Sequence, residues 1–321
     1  MANVSSVRGL IQSSDLGPTL MHEHIVWLTP GIRENWPDYF DEDACIAIAE
    51  RKLNELATRG IRTIVDLTPP DAGRDIKLLK TIQALTPINI IPCTGIYGAI
   101  GAVPAYWIFK EADDMAAAFI QDIHEGIQGS EIAAGIIKLA TDILSGGLDE
   151  VHERCLRAGA RAHRATGIPI STHTGPAPLG LDQQRVFLEE GVDLTRVIIG
   201  HVGDSTDTDL HKRLMDAGST IGMDRFGIYY YPEGFDDRVN SVVQLCSEGY
   251  ADRMILSHDH WCWHDWDLGK IMPGWPWEKH TYTHISDEVL PALREKGVSD
   301  EQIDQMLVEN PRRIFETEGA Y

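Results

Sequence analysis

Short, near-continuous apolar runs alternate along the whole chain with stretches whose apolar residues recur at helical spacing. The first apolar run covers 18–26. A long loop with Trp27, Trp36, Pro37 and Tyr39 follows, and Ile46, Ala49, Leu53 and Leu56 then predict a helix over 43–59 that Gly60 stops. The same reading predicts strands over 61–67, 88–93, 134–139, 168–173, 196–201, 219–224 and 253–259. Helices are predicted over 73–85, 113–127, 149–166, 181–190, 207–217 and 236–248, with two more, 284–296 and 300–308, closing the chain. Apolar strands separated by helices call for a parallel sheet covered by helices. Eight such units close into a (β/α)8 TIM barrel, here a single domain over residues 1–321. An open, doubly wound sheet is the alternative, but it gives no reason for the polar residues that end the strands.

Those polar residues are His22 and His24 on the first strand, Lys138 on the fourth, His173 on the fifth, His201 on the sixth and Asp259 on the eighth. On a strand His22 and His24 project to one side and Glu23 to the other, so the two imidazoles can share one divalent ion. A barrel brings every strand end to one mouth. Four histidines and a carboxylate exceed what one four-coordinate ion needs, so two ions are favoured. Lys138 stands in the apolar run 136–140, where a bare ammonium is costly to bury. It is either a lysine reaching the mouth or pairing with a carboxylate, or one that has taken up CO2 to become a carbamate bridging two metals. The residues alone leave both open.

Composition narrows the partners. With 49 acidic against 28 basic residues the formal charge is −21, which disfavours nucleic acid and anionic membrane surfaces. A 43% hydrophobic share suits a large core. The five cysteines are scattered, odd in number and form no CxxC pair. With no signal-like N-terminus and no apolar run long enough to span a bilayer, a cytoplasmic protein is expected.

Several stretches then resemble one family from end to end: Thr19-Leu20-Met21-His22-Glu23-His24, Thr63-Ile64-Val65-Asp66, Thr94-Gly95-Ile96-Tyr97, Gly135-Ile136-Ile137-Lys138 and Thr172-His173-Thr174. They continue with 180–185, Ile199-Gly200-His201-Val202-Gly203-Asp204, 222–227, Ser257-His258-Asp259 and Asn310-Pro311-Arg312-Arg313. The chain resembles the phosphotriesterase family of the amidohydrolase superfamily, and within it the phosphotriesterase-like lactonases. By matching position, the resemblance implies a binuclear centre. His22, His24 and Asp259 would hold the more buried ion and His173 and His201 the more exposed one, with carboxylated Lys138 and a hydroxide bridging them. Zinc is the first expectation for the metal, with cobalt, iron or manganese as the others. The hydroxide would attack an ester carbonyl bound by Tyr97, and Asp259 would move its proton to the leaving alkoxide. Arg225 would sit on the leaving-group side and help anchor the loop after strand eight. A homodimer is also implied.

That loop holds five of the eight tryptophans, Trp261, Trp263, Trp266, Trp275 and Trp277. In lactonases of this kind it lines an apolar channel, so Trp261, Trp263 and Trp266 are assigned to substrate contact, with packing at a rim or dimer interface as the alternative. The expected function is opening of N-acyl-homoserine lactones or related lactones, with weak phosphotriesterase activity. A main activity on phosphotriesters or other esters competes with it, as does a barrel that binds without turnover. Blander roles go to His258 and His260 (support or packing), Asp204 (holding a ligand histidine's N–H, or a helix cap), and His124, His152, His163 and His211 (solvent-facing on helices). Cys93 and Cys262 are expected near the mouth without ligating.

Overall fold

The computed structural model describes residues 2–98, 103–141, 147–229, 234–267, 270, 279–316 and 319–321. Eight strands form one sheet, which we number β1 Thr19–Glu23, β2 Thr63–Asp66, β3 Asn89–Gly95, β4 Ile136–Ala140, β5 Ile170–His173, β6 Val197–Ile199, β7 Thr220–Met223 and β8 Met254–Leu256. Each pairs in parallel with its neighbour in sequence. The helices between them are α1 Glu42–Ala57, α2 Ile76–Gln83, α3 Ala112–His124, α4 Glu150–Thr166, α5 Leu179–Glu189, α6 Thr208–Asp216 and α7 Phe235–Ser247. Helical segments from Ile285 to Glu295 and from Asp300 to Phe315 follow β8. This is the (β/α)8 barrel that the apolar pattern predicts.

The seam between β8 and β1 is closed at the mouth. The His22 N–H donates to the Ser257 hydroxyl at 2.9 Å, Asp259 N–H to the His22 carbonyl at 3.1 Å, and His24 N–H to the His260 carbonyl at 2.8 Å. Buried Glu23 reinforces the seam by accepting the backbone N–H groups of His258 and His260 and the His258 ring nitrogen, each within 2.9 Å.

Two cores result. Inside the barrel, Met21, Val65, Ile91, Cys93, Ile136, Ile198 and Ile255 stack together, and Val4, Leu16, Ile314 and Phe315 plug the floor. The larger core lies between strands and helices, from Leu53 of α1 to Leu245 of α7. Aspartates cap the helices: Asp41, Asp75, Asp149 and Asp207 each accept first-turn backbone N–H groups. An antiparallel hairpin, Asn3–Ser6 with Gly9–Gln12, precedes β1 and was not predicted, because its four-residue strands are too short to show an alternating apolar signal.

The histidines expected on solvent-facing helix positions are a correction. His124 is exposed, but His152, His163 and His211 are buried. The His211 Nε2–H donates to the Val202 carbonyl at 2.8 Å, and His163 Nδ1–H to the Ile168 carbonyl at 2.6 Å. Burial lowers the pKa of both below the ordinary imidazole value. The unfolded chain therefore binds more protons than the folded one once pH falls below about 6.5, and stability drops with it. We expect the urea midpoint to fall between pH 7 and pH 5, and to fall less steeply in a His211→Gln variant, which keeps a donor without the titrating ring.

Candidate metal centre

The polar residues that end the strands converge on one cluster. The ring centroids of His22 and His24 are 5.9 Å apart, those of His22 and His201 4.5 Å, and those of His173 and His201 4.5 Å. Asp259 Oδ1 lies 3.0 Å from His24 Nε2 and 3.6 Å from His22 Nε2, and its Oδ2 lies 3.8 Å from His201 Nε2. The Lys138 Nζ stands 2.8 Å from His22 Nε2 and is wholly buried. The six expected ligand residues are thus brought together at the mouth.

Backbone geometry explains part of this gathering. The predicted strands 196–201 and 253–259 overrun the observed β6 and β8, because His201 and Asp259 turn into left-handed conformations, with φ of 61° and 57°. Holding a non-glycine residue there costs on the order of 1–3 kcal/mol, and such strain concentrates at functional sites. Glycine permits two close approaches. A Cβ at Gly95, where φ is 121°, would meet the Lys138 carbonyl at 1.8 Å, and one at Gly222 would meet Asp224 Oδ2 at 2.2 Å.

Asp224 supports two of the histidines. Its Oδ1 accepts from the His201 backbone N–H at 2.9 Å and lies 3.0 Å from His201 Nδ1, while Oδ2 lies 2.9 Å from His22 Nδ1. Asp204, expected to hold a ligand histidine or cap a helix, does neither: it joins Arg225 Nη1 at 2.6 Å and Arg238 Nη2 at 2.7 Å. Arg225 in turn holds Asp259 Oδ2 through Nε at 3.0 Å. Sequence reasoning missed this role of Asp224, because nothing local separates an aspartate after a strand end from an ordinary loop residue.

The protonation states suit metal binding. Burial and the neighbouring Lys138 amine pull His22 down to about 3, and burial with His201 and Arg225 nearby holds His173 well below the ordinary imidazole value. Burial alone would raise Asp259, but His201, His24 and Arg225 outweigh it and keep the carboxyl well below its usual range. Burial brings Lys138 down to about 8 against the opposing pull of Asp259 and Asp224. Neutral imidazoles and charged carboxylates are the forms that ligate.

The residues fit a metal group. The Nε2 atoms of His173 and His201 are buried and have no hydrogen-bond partner among the described residues, although buried polar atoms are nearly always paired. Two overlapping sets, His22 with His24 and Asp259, and His22 with His201 and Asp224, place a donor atom of each residue within 4.8 Å of the others.

Beside the cluster stands an aromatic slot of about 130 Å³ lined by Trp27, Leu28, Tyr97, Gly98, Pro104 and Trp266. The Tyr97 ring meets His173 edge-on at 5.1 Å, and Trp27 packs on Tyr97 at 5.1 Å, on His24 at 4.8 Å and on Trp266 at 5.8 Å. Trp266 is fixed by its Nε1–H to Thr29 Oγ1 at 3.1 Å, and Asp265 accepts the Thr29 N–H at 2.7 Å. Trp27 was not singled out, since a loop tryptophan carries no periodic signal. Trp261 and Trp263 line a different cleft, with Lys52, His260, His264 and His280. There Trp261 packs on His280 at 4.5 Å and Trp263 on Phe40 at 6.0 Å. Trp275 and Trp277 lie outside the described residues. Cys93 is buried in the barrel interior and Cys262 in the outer core.

Comparisons with known proteins agree with this arrangement. The model of the phosphotriesterase family matches residues 2–315. The solved structure of the phosphotriesterase from Mycobacterium tuberculosis superposes with a TM-score of 0.90 at 46% identity, covering 100% of both chains. An aryldialkylphosphatase of Saccharolobus solfataricus is 36% identical, covering 95% of this chain and 96% of its own length. A phospho-furanose lactonase of Mycoplasmopsis agalactiae is 25% identical, covering 97% of this chain and 91% of its own. With a barrel, a strand-end ligand cluster and a match over nearly its whole length, the chain belongs to the phosphotriesterase family of hydrolases.

Proposed function

We propose that the protein is a metal-dependent lactonase that opens N-acyl-homoserine lactones or related γ- and δ-lactones. The observation that carries this reading is the placement of Tyr97, whose phenol, 8% exposed, is set between the His173 ring and an aromatic slot. A lactone needs one hydrogen-bond donor at its carbonyl and an apolar wall for its side chain, and this corner offers both. The lactonase among the relatives points the same way.

In this reading His22, His24 and Asp259 would hold one divalent cation and His173 and His201 a second, with Lys138, as its carbamate, supplying an anionic oxygen ligand. Bound there, such cations make water acidic enough to ionise near neutral pH and polarise a carbonyl. The chain's own residues do the rest. Tyr97 donates its O–H to the carbonyl oxygen, where negative charge develops as the nucleophile adds and before the ring opens. Asp259 takes the proton of the attacking water and passes it to the leaving alkoxide. Arg225, through its 3.0 Å contact with Oδ2, fixes the direction in which Asp259 faces. Trp27 and Trp266 shelter the side chain from water.

The aryldialkylphosphatase relative favours phosphotriester hydrolysis as the second reading. Measuring kcat/KM for an acyl-homoserine lactone and for paraoxon on one preparation separates them; a clear preference for paraoxon overturns the lactonase reading. The slot also sets a size limit. Trp27→Ala is expected to raise kcat/KM for a long-chain lactone relative to a short-chain one by about tenfold or more, the scale of a few methylenes gaining a pocket.

A further inference from the structure

Asp224 serves His22 and His201 directly, but His24 is held by other means. Its Nδ1 lies 2.9 Å from the Thr68 hydroxyl, and that hydroxyl lies 2.5 Å from Asp66 Oδ1. The Thr68 backbone N–H also donates to Asp66 Oδ1 at 3.2 Å. All three residues are buried, each 2% exposed. Asp66 ends β2 and Thr68 follows two residues on, so the pair is built into one strand end facing the end of β1, which His24 follows.

Proton counting gives this chain a direction. A hydroxyl has one proton, so Thr68 can donate to Asp66 or to His24 but not to both. If His24 is to offer Nε2 to a cation, its ring proton must sit on Nδ1 and point at Thr68; Thr68 then donates onward to Asp66. Were the hydroxyl to donate to Nδ1 instead, the ring proton would occupy Nε2 and His24 could not ligate. A carboxylate behind the hydroxyl selects the first arrangement. We propose that Asp66, acting through the Thr68 hydroxyl, is a positioning residue that holds His24 in the tautomer and orientation able to bind a divalent cation. The proposal rests on the metal-centre reading above and deepens it, since support of a ligating imidazole by an outer acceptor commonly governs metal affinity.

The test is metal affinity, read by competition of Zn²⁺-loaded protein with a chromophoric chelator and by the number of ions retained per chain. Thr68→Val and Asp66→Asn are each expected to weaken one of the two ions roughly 10–100-fold while leaving the other within about threefold. Thr68→Ser, which keeps the hydroxyl, should bind as the parent does. In the Thr68→Val background, Asp66→Asn should have no further effect, because its route to His24 is already cut. Melting curves of every variant identify any that fails to fold, and the near-isosteric Thr68→Val and Thr68→Ser pair carries the test if Asp66→Asn does. Parent-like affinity in Thr68→Val, or full additivity in the double variant, overturns this inference while the metal centre stands. A parent protein that binds no zinc overturns both.

Discussion

Lys138→Met is expected to lower lactone hydrolysis by more than about 10³-fold while leaving the barrel folded. Lewis-acid and electrostatic stabilisation by cations is worth several kcal/mol, and each 1.4 kcal/mol is a decade in rate. Methionine matches the length of the lysine stem but can neither take up CO2 nor act as an anionic bridge. Lys138 has no solvent exposure, and burial already pulls its amine down to about 8, so the folded protein holds this group at a cost. Compared with the parent in the absence of metal, the apolar replacement should therefore leave the melting temperature unchanged or higher, while activity and metal uptake fall. Kinetics, metal analysis and a melting curve on one preparation check this. Full activity in Lys138→Met would sink the bridging role, whereas lost activity with a collapsed melting curve would show a residue needed for folding.

Asp259→Asn is the second large effect, expected at roughly 10²–10⁴-fold in kcat, the usual range for removing a positioned general acid–base group. Its backbone stands at φ 57°, a conformation asparagine tolerates at least as well as aspartate, so the loop should keep its course. The side chain loses its charge and with it the ability to take a proton from the nucleophile. Arg225 keeps Asp204 at 2.6 Å, so one partner of the arginine survives the change. A drop confined to KM, with kcat intact, would place Asp259 in substrate binding instead.

What could be read in advance divides by physical cause. Strand order and the gathering of the strand-end polar residues were legible because several apolar runs end in such a residue, and a barrel leaves those ends only one place to meet. The exact ends of β6 and β8 were not, since the left-handed turns at His201 and Asp259 follow from the tertiary site and not from local propensity. The residues behind the ligands were hidden for another reason. Asp224, Asp66, Thr68 and Glu23 act across strands distant in sequence, and none differs locally from an ordinary loop or strand residue. The tryptophan-rich stretch divided in the same way. Trp266 reaches the slot beside Tyr97, whereas Trp261 and Trp263 turn to a cleft with Lys52, a choice set by the short parallel pairing of Trp263 and His264 with Val26 and Trp27.

The most direct test of the central claim is a pH-stat titration of acid released from a short- and a long-chain acyl-homoserine lactone. Zinc-loaded protein, chelated protein and a His173→Ala variant would be run side by side. The account predicts acid release by the loaded protein, its loss on chelation with recovery when zinc is restored, and a large drop in His173→Ala. No release from either lactone by protein shown to hold two zinc ions per chain would contradict it.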